Sequence, residues 1–108
     1  MAKEIKQLGI INPEANTEVL AFEQGSPGLF VVSVIASNYG MTDAKFDITI
    51  FNASASTNNA ILAKKQPLPA RNSYETQKFT LDYSDEIYVM ANSSSVSFMI
   101  SGVNQSEA

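Results

Sequence analysis

The chain has 108 residues, contains no cysteine and no histidine, and carries seven basic and eleven acidic side chains for a formal net charge of -4. Without those two residue types, a disulfide framework, a thiolate metal site and a Ser/His or Cys/His nucleophile pair are excluded, so we predict a protein that is not an enzyme and uses no cofactor. The length fits a single domain, residues 1–108, and the acidic balance argues against a nucleic-acid partner.

Eight short segments carry the alternating or continuous apolar pattern of β-strands. In chain order they are residues 4–11, 17–23, 28–37, 44–51, 59–65, 74–81, 86–91 and 96–102. The alternation is clearest in the fourth, AKFDITIF, where Phe46, Ile48 and Ile50 share one face. Turn-forming residues separate the segments, and no segment has a convincing helical period. The sequence therefore predicts an all-β fold, a single-domain antiparallel β-sandwich or jelly roll of about eight strands.

The apolar phase of these strands also predicts which side chains form the core. Inward-facing positions recur every second residue in a half-buried strand, and the third segment, apolar in both phases, is expected to be central. The predicted core consists of Leu20, Phe22, Phe30, Val32, Val34, Phe46, Ile48, Ile50, Phe79, Leu81, Ile87, Val89, Val96, Phe98 and Ile100.

Residues 64–75, KKQPLPARNSYE, are the most charged and proline-marked stretch of the chain. As a polyproline ligand the stretch is too short, because only the three residues PLP are involved. Proline instead ends or borders strands, since it has no N–H to donate to a sheet. We predict that one strand ends at Gln66, that the chain crosses an edge or corner, and that the next strand resumes near Tyr74.

The acidic segment LDYSDEI, residues 81–87, allows two interpretations. Its carboxylates Asp82, Asp85 and Glu86 are oxygen ligands of the kind that calcium accepts. The segment lacks the glycine and the ligand spacing of an EF-hand loop, and Asp-rich turns before strands are common without any metal. The sequence alone leaves the calcium site and the solvated turn open.

The last two predicted strands suggest an interaction surface. If NSSS, residues 92–95, is a hairpin loop, the register places Tyr88 opposite Met99 and Met90 opposite Ser97 on the outer side. An apolar cluster on a face that is expected to be solvent-exposed should be buried, either by another part of the same chain or by a partner. We predict that Tyr88, Met90 and Met99 form a protein interface, with Tyr88 and Met99 in a subunit contact.

Neither end of the sequence has the features of a targeting signal. The first ten residues, MAKEIKQLGI, include two lysines but no apolar stretch long enough for a secretory signal. No run approaches the ~18 apolar residues that span a bilayer. We therefore expect synthesis in a cytoplasm and no membrane partner.

A longer pattern extends through most of the chain. It combines an early Asn-to-Leu strand, a Val/Ser strand followed by Asn and Gly, an alternating Phe/Ile strand, a proline-marked corner and two closing strands. Its positions are Asn16 to Leu20, Val31 to Ser33, Asn38, Gly40, Ala44, Phe46, Ile48, Ile50, Pro67 to Ser73, Leu81, Asp85, Ile87, Val89, Ala91, Ser97, Phe98, Ser101 and Gly102. In these features the chain resembles small all-β virion structural proteins of tailed bacteriophages, particularly phages of marine bacteria.

The resemblance implies a non-enzymatic virion component, a capsid decoration or cement protein or a tail-associated protein. Such a protein packs in multiple copies against other virion proteins, as a homo-oligomer or larger assembly. It would be made in the host cytoplasm and be located in the virion. The resemblance implies no catalytic or cofactor residues.

An alternative function is a carbohydrate- or receptor-binding module at a tail tip or fibre. The loops SNYGMTD and DYSDE are rich in hydrogen-bonding side chains, and each contains one tyrosine. Tyr39 or Tyr83 would stack its apolar ring on a sugar while neighbouring Asn and Asp side chains bind hydroxyls.

Overall fold

The computed structural model of the chain describes residues 6–24, 30–52, 58–81 and 85–104. These residues contain nine β-strands and no helix, which confirms the all-β prediction. The strands are β1 (Lys6–Ile11), β2 (Val19–Glu23), β3 (Phe30–Asn38), β4 (Ala44–Asn52), β5 (Asn58–Leu68), β6 (Ser73–Glu75), β7 (Phe79–Leu81), β8 (Glu86–Ala91) and β9 (Val96–Asn104). In the described parts of the chain, no helix has the length and hydropathy that a bilayer crossing needs.

The strands form two antiparallel sheets stacked as a sandwich. Sheet A has the order β1-β9-β3-β6, with β7 also pairing β3, and sheet B has the order β2-β8-β4-β5. The principal extents are 44 × 33 × 19 Å, and the short one fits two twisted sheets packed about 10 Å apart. The predicted antiparallel sandwich is therefore confirmed, and each sheet has one face toward the core and one toward solvent.

The sixth predicted strand, residues 74–81, is divided into β6 and β7. Both halves pair with β3. Thr76, between them, also bonds to β3, but partly through its side chain. The Thr76 N–H donates to the Val34 carbonyl at 2.9 Å, and the Val34 N–H donates to the Thr76 hydroxyl at 2.9 Å. A side-chain oxygen thus replaces one main-chain acceptor, so the edge of β3 stays hydrogen-bonded while the strand is interrupted.

The proline-marked stretch is a corner between the sheets, as predicted, although β5 extends to Leu68 rather than ending at Gln66. Pro67 lies on β5, the outermost strand of sheet B, and pairs with Lys45 of β4. An edge strand tolerates proline, which has no N–H to donate. The chain then turns through residues 69–72, where the Asn72 N–H donates to the Pro69 carbonyl at 3.1 Å. It enters sheet A at Ser73, one residue before the predicted Tyr74.

The core lies between the sheets and is centred on Phe46. Its ring contacts those of Tyr74 and Phe98 edge-on, with centroids 5.3 and 5.9 Å away. Phe46 belongs to sheet B and the other two rings to sheet A, so this aromatic group joins the layers. Most of the predicted core is buried: Val32, Val34, Phe46, Ile48, Ile50, Leu81, Ile87, Val89, Val96, Phe98 and Ile100.

The prediction of Leu20 as a core residue is wrong, because its side chain is 43% exposed. Strand β2 pairs Leu20 with Tyr88 and then Phe22 with Ile87, so a bulge shifts the register between them. The bulge lets Val19 and Phe22 both pack against the core while Leu20 points outward. Phe79 is also partly buried against the core, and the side chain of Phe30 lies outside the described residues.

We expect Phe98→Ala to lower the free energy of unfolding by ~3–5 kcal/mol, because it removes a ring packed at the junction of the two sheets. Leu20→Ala is the matched control on the exposed side and should cost less than about 1 kcal/mol. Urea unfolding followed by circular dichroism measures both. Equal losses in the two variants would contradict this assignment of inner and outer positions.

Candidate functional site

The predicted hairpin between the last two strands is wrong. Strand β8 lies in sheet B and β9 in sheet A, so residues 92–95 cross between the sheets. The ends of this crossing are bonded to other elements: the Asn92 N–H donates to the Lys45 carbonyl at 3.0 Å, and the Tyr39 N–H donates to the Ser95 carbonyl at 3.0 Å. The single outward cluster of Tyr88, Met90 and Met99 therefore does not form.

The three candidate interface residues lie instead on opposite broad faces of the sandwich. Tyr88 and Met90 alternate with the buried Val89 and are on the outer face of sheet B, whereas Met99 is on the outer face of sheet A. All three are half-buried. The inward residues of both strands were predicted correctly because alternation fixes the buried face of a strand, whichever sheet it joins.

The outer face of sheet A carries an apolar row formed by Ile10, Met99 and Ile35. Met99 is the direct partner of Ile10 on one side and of Ile35 on the other. Ile10 is 59% exposed, and the other two are half-buried. Serine pairs border the row on both sides, Ser37 with Ser97 and Ser33 with Ser101. At its β3 end the row meets the exposed Glu75, which pairs with Ile35.

The outer face of sheet B carries a shallow cleft of about 340 Å³ lined by Glu18, Thr49, Phe51 and Tyr88. The Tyr88 hydroxyl donates to the Glu86 carboxylate at 2.8 Å. This hydrogen bond is the main reason that the pKa of Tyr88 is raised above its ordinary value, with partial burial and the nearby negative charges also contributing. We call this feature the acidic cleft.

A second cleft of about 310 Å³ lies on the same face, and its lining includes Lys45, Lys64, Lys65, Asp47 and Met90. Asp47 is engaged within the cleft: its carboxylate accepts the Lys65 N–H at 2.7 Å, and the Lys64 ammonium lies 3.5 Å away. The lining thus contains three lysines and one carboxylate, of which the Lys64 ammonium lies beside the carboxylate. We call this feature the basic cleft.

Asn38, at the end of β3, is a buried polar residue with 2% exposure. Its Nδ2 donates to the carbonyl oxygens of Thr42 at 2.9 Å and Leu68 at 3.0 Å. Its Oδ1 accepts the Gly40 N–H at 2.9 Å and the Ser95 hydroxyl at 3.1 Å. One amide group therefore joins the β3–β4 loop, the end of β5 and the β8–β9 crossing.

The close approach around this amide requires glycine at position 40. A Cβ atom there would lie 2.5 Å from the Ser95 hydroxyl and 3.3 Å from Asn38 Oδ1. The hydroxyl would have to move, and with it a hydrogen bond to the central amide. The short sequence Asn-Tyr-Gly thus sets the geometry of this end of the sandwich.

Tyr39 follows Asn38 and is 59% exposed, with its hydroxyl donating to the Ser94 carbonyl at 3.1 Å. It lines a cleft of about 300 Å³ together with Arg71 and Asn72, among other residues. Met41, in the same loop, is 83% exposed. The predicted ligand residue Tyr39 is therefore presented at the surface by a loop that Asn38 fixes.

The other predicted ligand residues are Tyr83 and the acidic side chains of Asp82, Asp85 and Glu86. Tyr83 and Asp82 lie outside the described residues. Asp85 is buried, and the Glu86 carboxylate accepts the Tyr88 hydroxyl. Among the residues that the structure describes, no group of three or more His, Cys, Asp or Glu side chains is arranged to hold a metal ion. The proposed calcium ligands thus remain a sequence-based alternative.

Sequence reasoning placed Asn38 in a longer pattern but missed its buried hydrogen bonds, and it missed the basic cleft and the apolar row. The row requires knowledge of which strands pair, and the basic cleft depends on bulges in the β4–β5 pairing that no alternation reveals. For Asn38 a local signal exists, since Asn followed two residues later by Gly is typical of a side-chain-capped turn. Its bonds to Leu68 and Ser95 have no sequence signal.

No family model matches this sequence, and no curated protein matches it. Among solved structures, the chain is similar to a crystallographic structure of the N-terminal endo-1,4-beta-D-xylanase 10B of Clostridium thermocellum, comprising CBM22-1 and GH10 modules complexed with xylohexaose. The match covers 97% of this chain and 25% of that chain, with 12% identity and a TM-score of 0.44. This chain therefore spans a quarter of the length of that protein.

We expect Asn38→Ala to lower the free energy of unfolding by about 2–4 kcal/mol, since each buried polar group left without a partner costs about 1–3 kcal/mol. Asn72→Ala is the control: its side chain is exposed, and it contributes its main-chain carbonyl to the Asn38 N–H. That variant should stay within about 0.5 kcal/mol of the parent. Urea unfolding distinguishes the two, and a small loss for Asn38→Ala would refute its central role.

Proposed function

We propose that this chain is a non-enzymatic structural component of a tailed-phage particle that packs in many copies against other proteins of the particle. The observation that carries the proposal is the apolar row of Ile10, Met99 and Ile35 on the outer face of sheet A. A row of three large apolar side chains, on a broad face that also carries the half-buried pair Val31 and Val103, favours a protein partner.

The energetics of the apolar row support a packing role. Fully burying a side chain of this size is worth ~1.5–3 kcal/mol, so a partner that covers the exposed Ile10 and the remaining surface of Met99 gains a sizeable part of a stable contact. Methionine also adapts to irregular surfaces and is enriched at interfaces. The small side chains of Ser37 and Ser97 beside the row allow a partner to approach closely.

Two further observations favour a structural role in a virion. The sequence has no histidine or cysteine, the residue types that supply the commonest general base and the most reactive nucleophile. The pattern from Asn16 to Gly102 resembles small all-β virion proteins of tailed phages. A rigid sandwich with one apolar row suits a part that is repeated by symmetry.

We expect mass spectrometry of purified particles to find this chain on the order of tens to hundreds of copies per particle, as symmetric repetition implies. Met99→Lys should abolish incorporation, because it places a charge in the middle of the apolar row, while the isolated domain remains folded. Gln77→Lys, an exposed position outside the row, is the control and should incorporate normally. Absence of the parent chain from particles would refute the proposal.

A second candidate function, carbohydrate binding, is favoured by the cleft at Tyr39. Its ring is exposed, its hydroxyl is held by the Ser94 carbonyl, and Arg71 and Asn72 line the same cleft. A tyrosine ring fixed in this way can stack on a sugar, and the guanidinium and amide can donate to hydroxyls. These contacts are observed for Tyr39, whereas the suggestion that Tyr83 stacks on a sugar rests on sequence alone.

For this second candidate we expect binding on a glycan array that is lost in Tyr39→Ala and retained in Tyr39→Phe, which keeps the ring but not the bond to Ser94. We expect this difference because a sugar would stack on the aromatic ring, which the parent and Tyr39→Phe have and Tyr39→Ala lacks. Loss in both variants would indicate that the loop conformation, not the ring, is recognised. No glycan binding by the parent chain would exclude this candidate.

A further inference from the structure

The basic cleft depends on a bulge in the pairing of β4 with β5. The register shifts beside Asp47, so this residue lies opposite both Lys64 and Lys65. Adjacent side chains of a regular strand point to opposite faces, whereas here both lysines line one cleft. Lys65 has a φ of 49°, in the left-handed region that a non-glycine residue seldom adopts. The strand is thus held in an irregular conformation that brings cationic residues together.

The basic cleft is positive although the whole chain is negative. Lys45 is exposed, lies two residues before Asp47 on β4 and adds a third lysine to the lining. Three lysines and one carboxylate give the lining a formal charge of +2, in a chain whose net charge is -4. The cleft therefore holds three of the seven basic residues in the sequence. A local concentration of positive charge attracts an anion even when the net charge of the molecule is negative.

The side-chain acceptors of Asp47 and Asn92 in this cleft are already engaged. One oxygen of the Asp47 carboxylate accepts the Lys65 N–H at 2.7 Å, and the other lies 3.5 Å from the Lys64 ammonium. Asn92 Oδ1 accepts the Lys45 N–H at 2.9 Å. The lysine ammonium groups and the Asn92 Nδ2 can only donate hydrogen bonds. A ligand that pairs with these donors must supply acceptors, and the positive charge favours an oxyanion.

The rest of the lining combines amide groups with one apolar side chain. Asn16 and Asn92 both line the cleft, and Met90, the direct partner of Asp47 in the sheet, is half-buried there. Asn16 is held in place by its N–H, which donates to the Ala91 carbonyl at 2.6 Å. Amides bind hydroxyl groups, and an apolar side chain can contact the C–H side of a ring. The cleft volume of about 310 Å³ is near the lower end of the range for small-molecule sites, which suits a ligand of one ring.

We propose that the basic cleft binds an acidic sugar unit, a sugar ring that carries a carboxylate. The carboxylate is bound by the ammonium groups of Lys45 and Lys65, while Lys64 stays beside Asp47. The amides of Asn16 and Asn92 bind the ring hydroxyls. This site is separate from the apolar row, which is on the opposite broad face, and shares no lining residue with the cleft at Tyr39. It therefore stands or falls independently of both proposed functions.

Titration of the isotope-labelled chain with glucuronate, followed by NMR, tests this proposal. We expect the side-chain amide signals of Asn16 and Asn92 to shift, and the Kd to rise with added salt, which screens the lysine charges. The double variant Lys45→Gln with Lys65→Gln keeps the main-chain hydrogen bonds and the pair of Lys64 with Asp47, but it removes two charges from the cleft. Because hydrogen bonds to charged groups are the stronger ones, we expect its Kd for glucuronate to be roughly tenfold higher or more.

Lys78→Gln is the matched control, because it removes an exposed lysine outside the cleft, and it should bind glucuronate like the parent. Glucose has the ring without the carboxylate, and inorganic sulfate has the charge without the ring, so each should bind more weakly than glucuronate. Circular dichroism establishes that each variant is folded. The proposal is overturned if glucuronate shifts no signal of the cleft, if the double variant binds as tightly as the parent, or if glucose or sulfate binds as tightly as glucuronate.

Discussion

The buried side chain of Asn38 is the constraint on which the arrangement of the two sheets depends. The chain passes from sheet A to sheet B after β3, and from sheet B to sheet A after β5 and after β8. Asn38 is bonded to a residue in or beside each of these three passages: Thr42, Leu68 and Ser95. Every donor and acceptor of this buried side-chain amide is hydrogen-bonded. A different arrangement of the three passages would leave some of these groups without partners in the protein interior, which is energetically costly.

This constraint determines what the outside of the molecule presents. Because the chain changes sheets between β8 and β9, side chains that are neighbours in sequence are placed on opposite broad faces. Tyr88 and Met90 are on one face with acidic and basic groups, and Met99 is on the other with Ile10 and Ile35. A hairpin at the same position would have gathered them into one patch. The two broad faces therefore differ in chemistry.

The sequence predicts the parts of this fold that depend on local alternation, and it does not predict the parts that depend on pairing. Strand positions follow from the apolar patterns, and the inward faces of β4, β8 and β9 follow from period-2 alternation, since a half-buried strand has only two faces. Three features break the alternation: the bulge that turns Leu20 outward, the Thr76 hydroxyl that interrupts the strand, and the sheet change after Ala91. Each depends on a hydrogen bond or register with a distant strand. The outward positions of Tyr88, Met90 and Met99 were accordingly predicted, but not the faces of the sandwich on which they lie.

The edges of the two sheets have a consequence for the behaviour of this chain at high concentration. Sheet B ends in β2, which has a bulge, and in β5, which has Pro67, bulged pairing and a positive φ of 49° at Lys65. Sheet A ends in β1, also bulged, and in β6 and β7 of three residues each. Strands of this kind are poor templates for the open main-chain pairing that leads to fibrils. Neighbouring copies can therefore be crowded together without continuing one another's sheets, and any ordered association is left to the side chains of the broad faces.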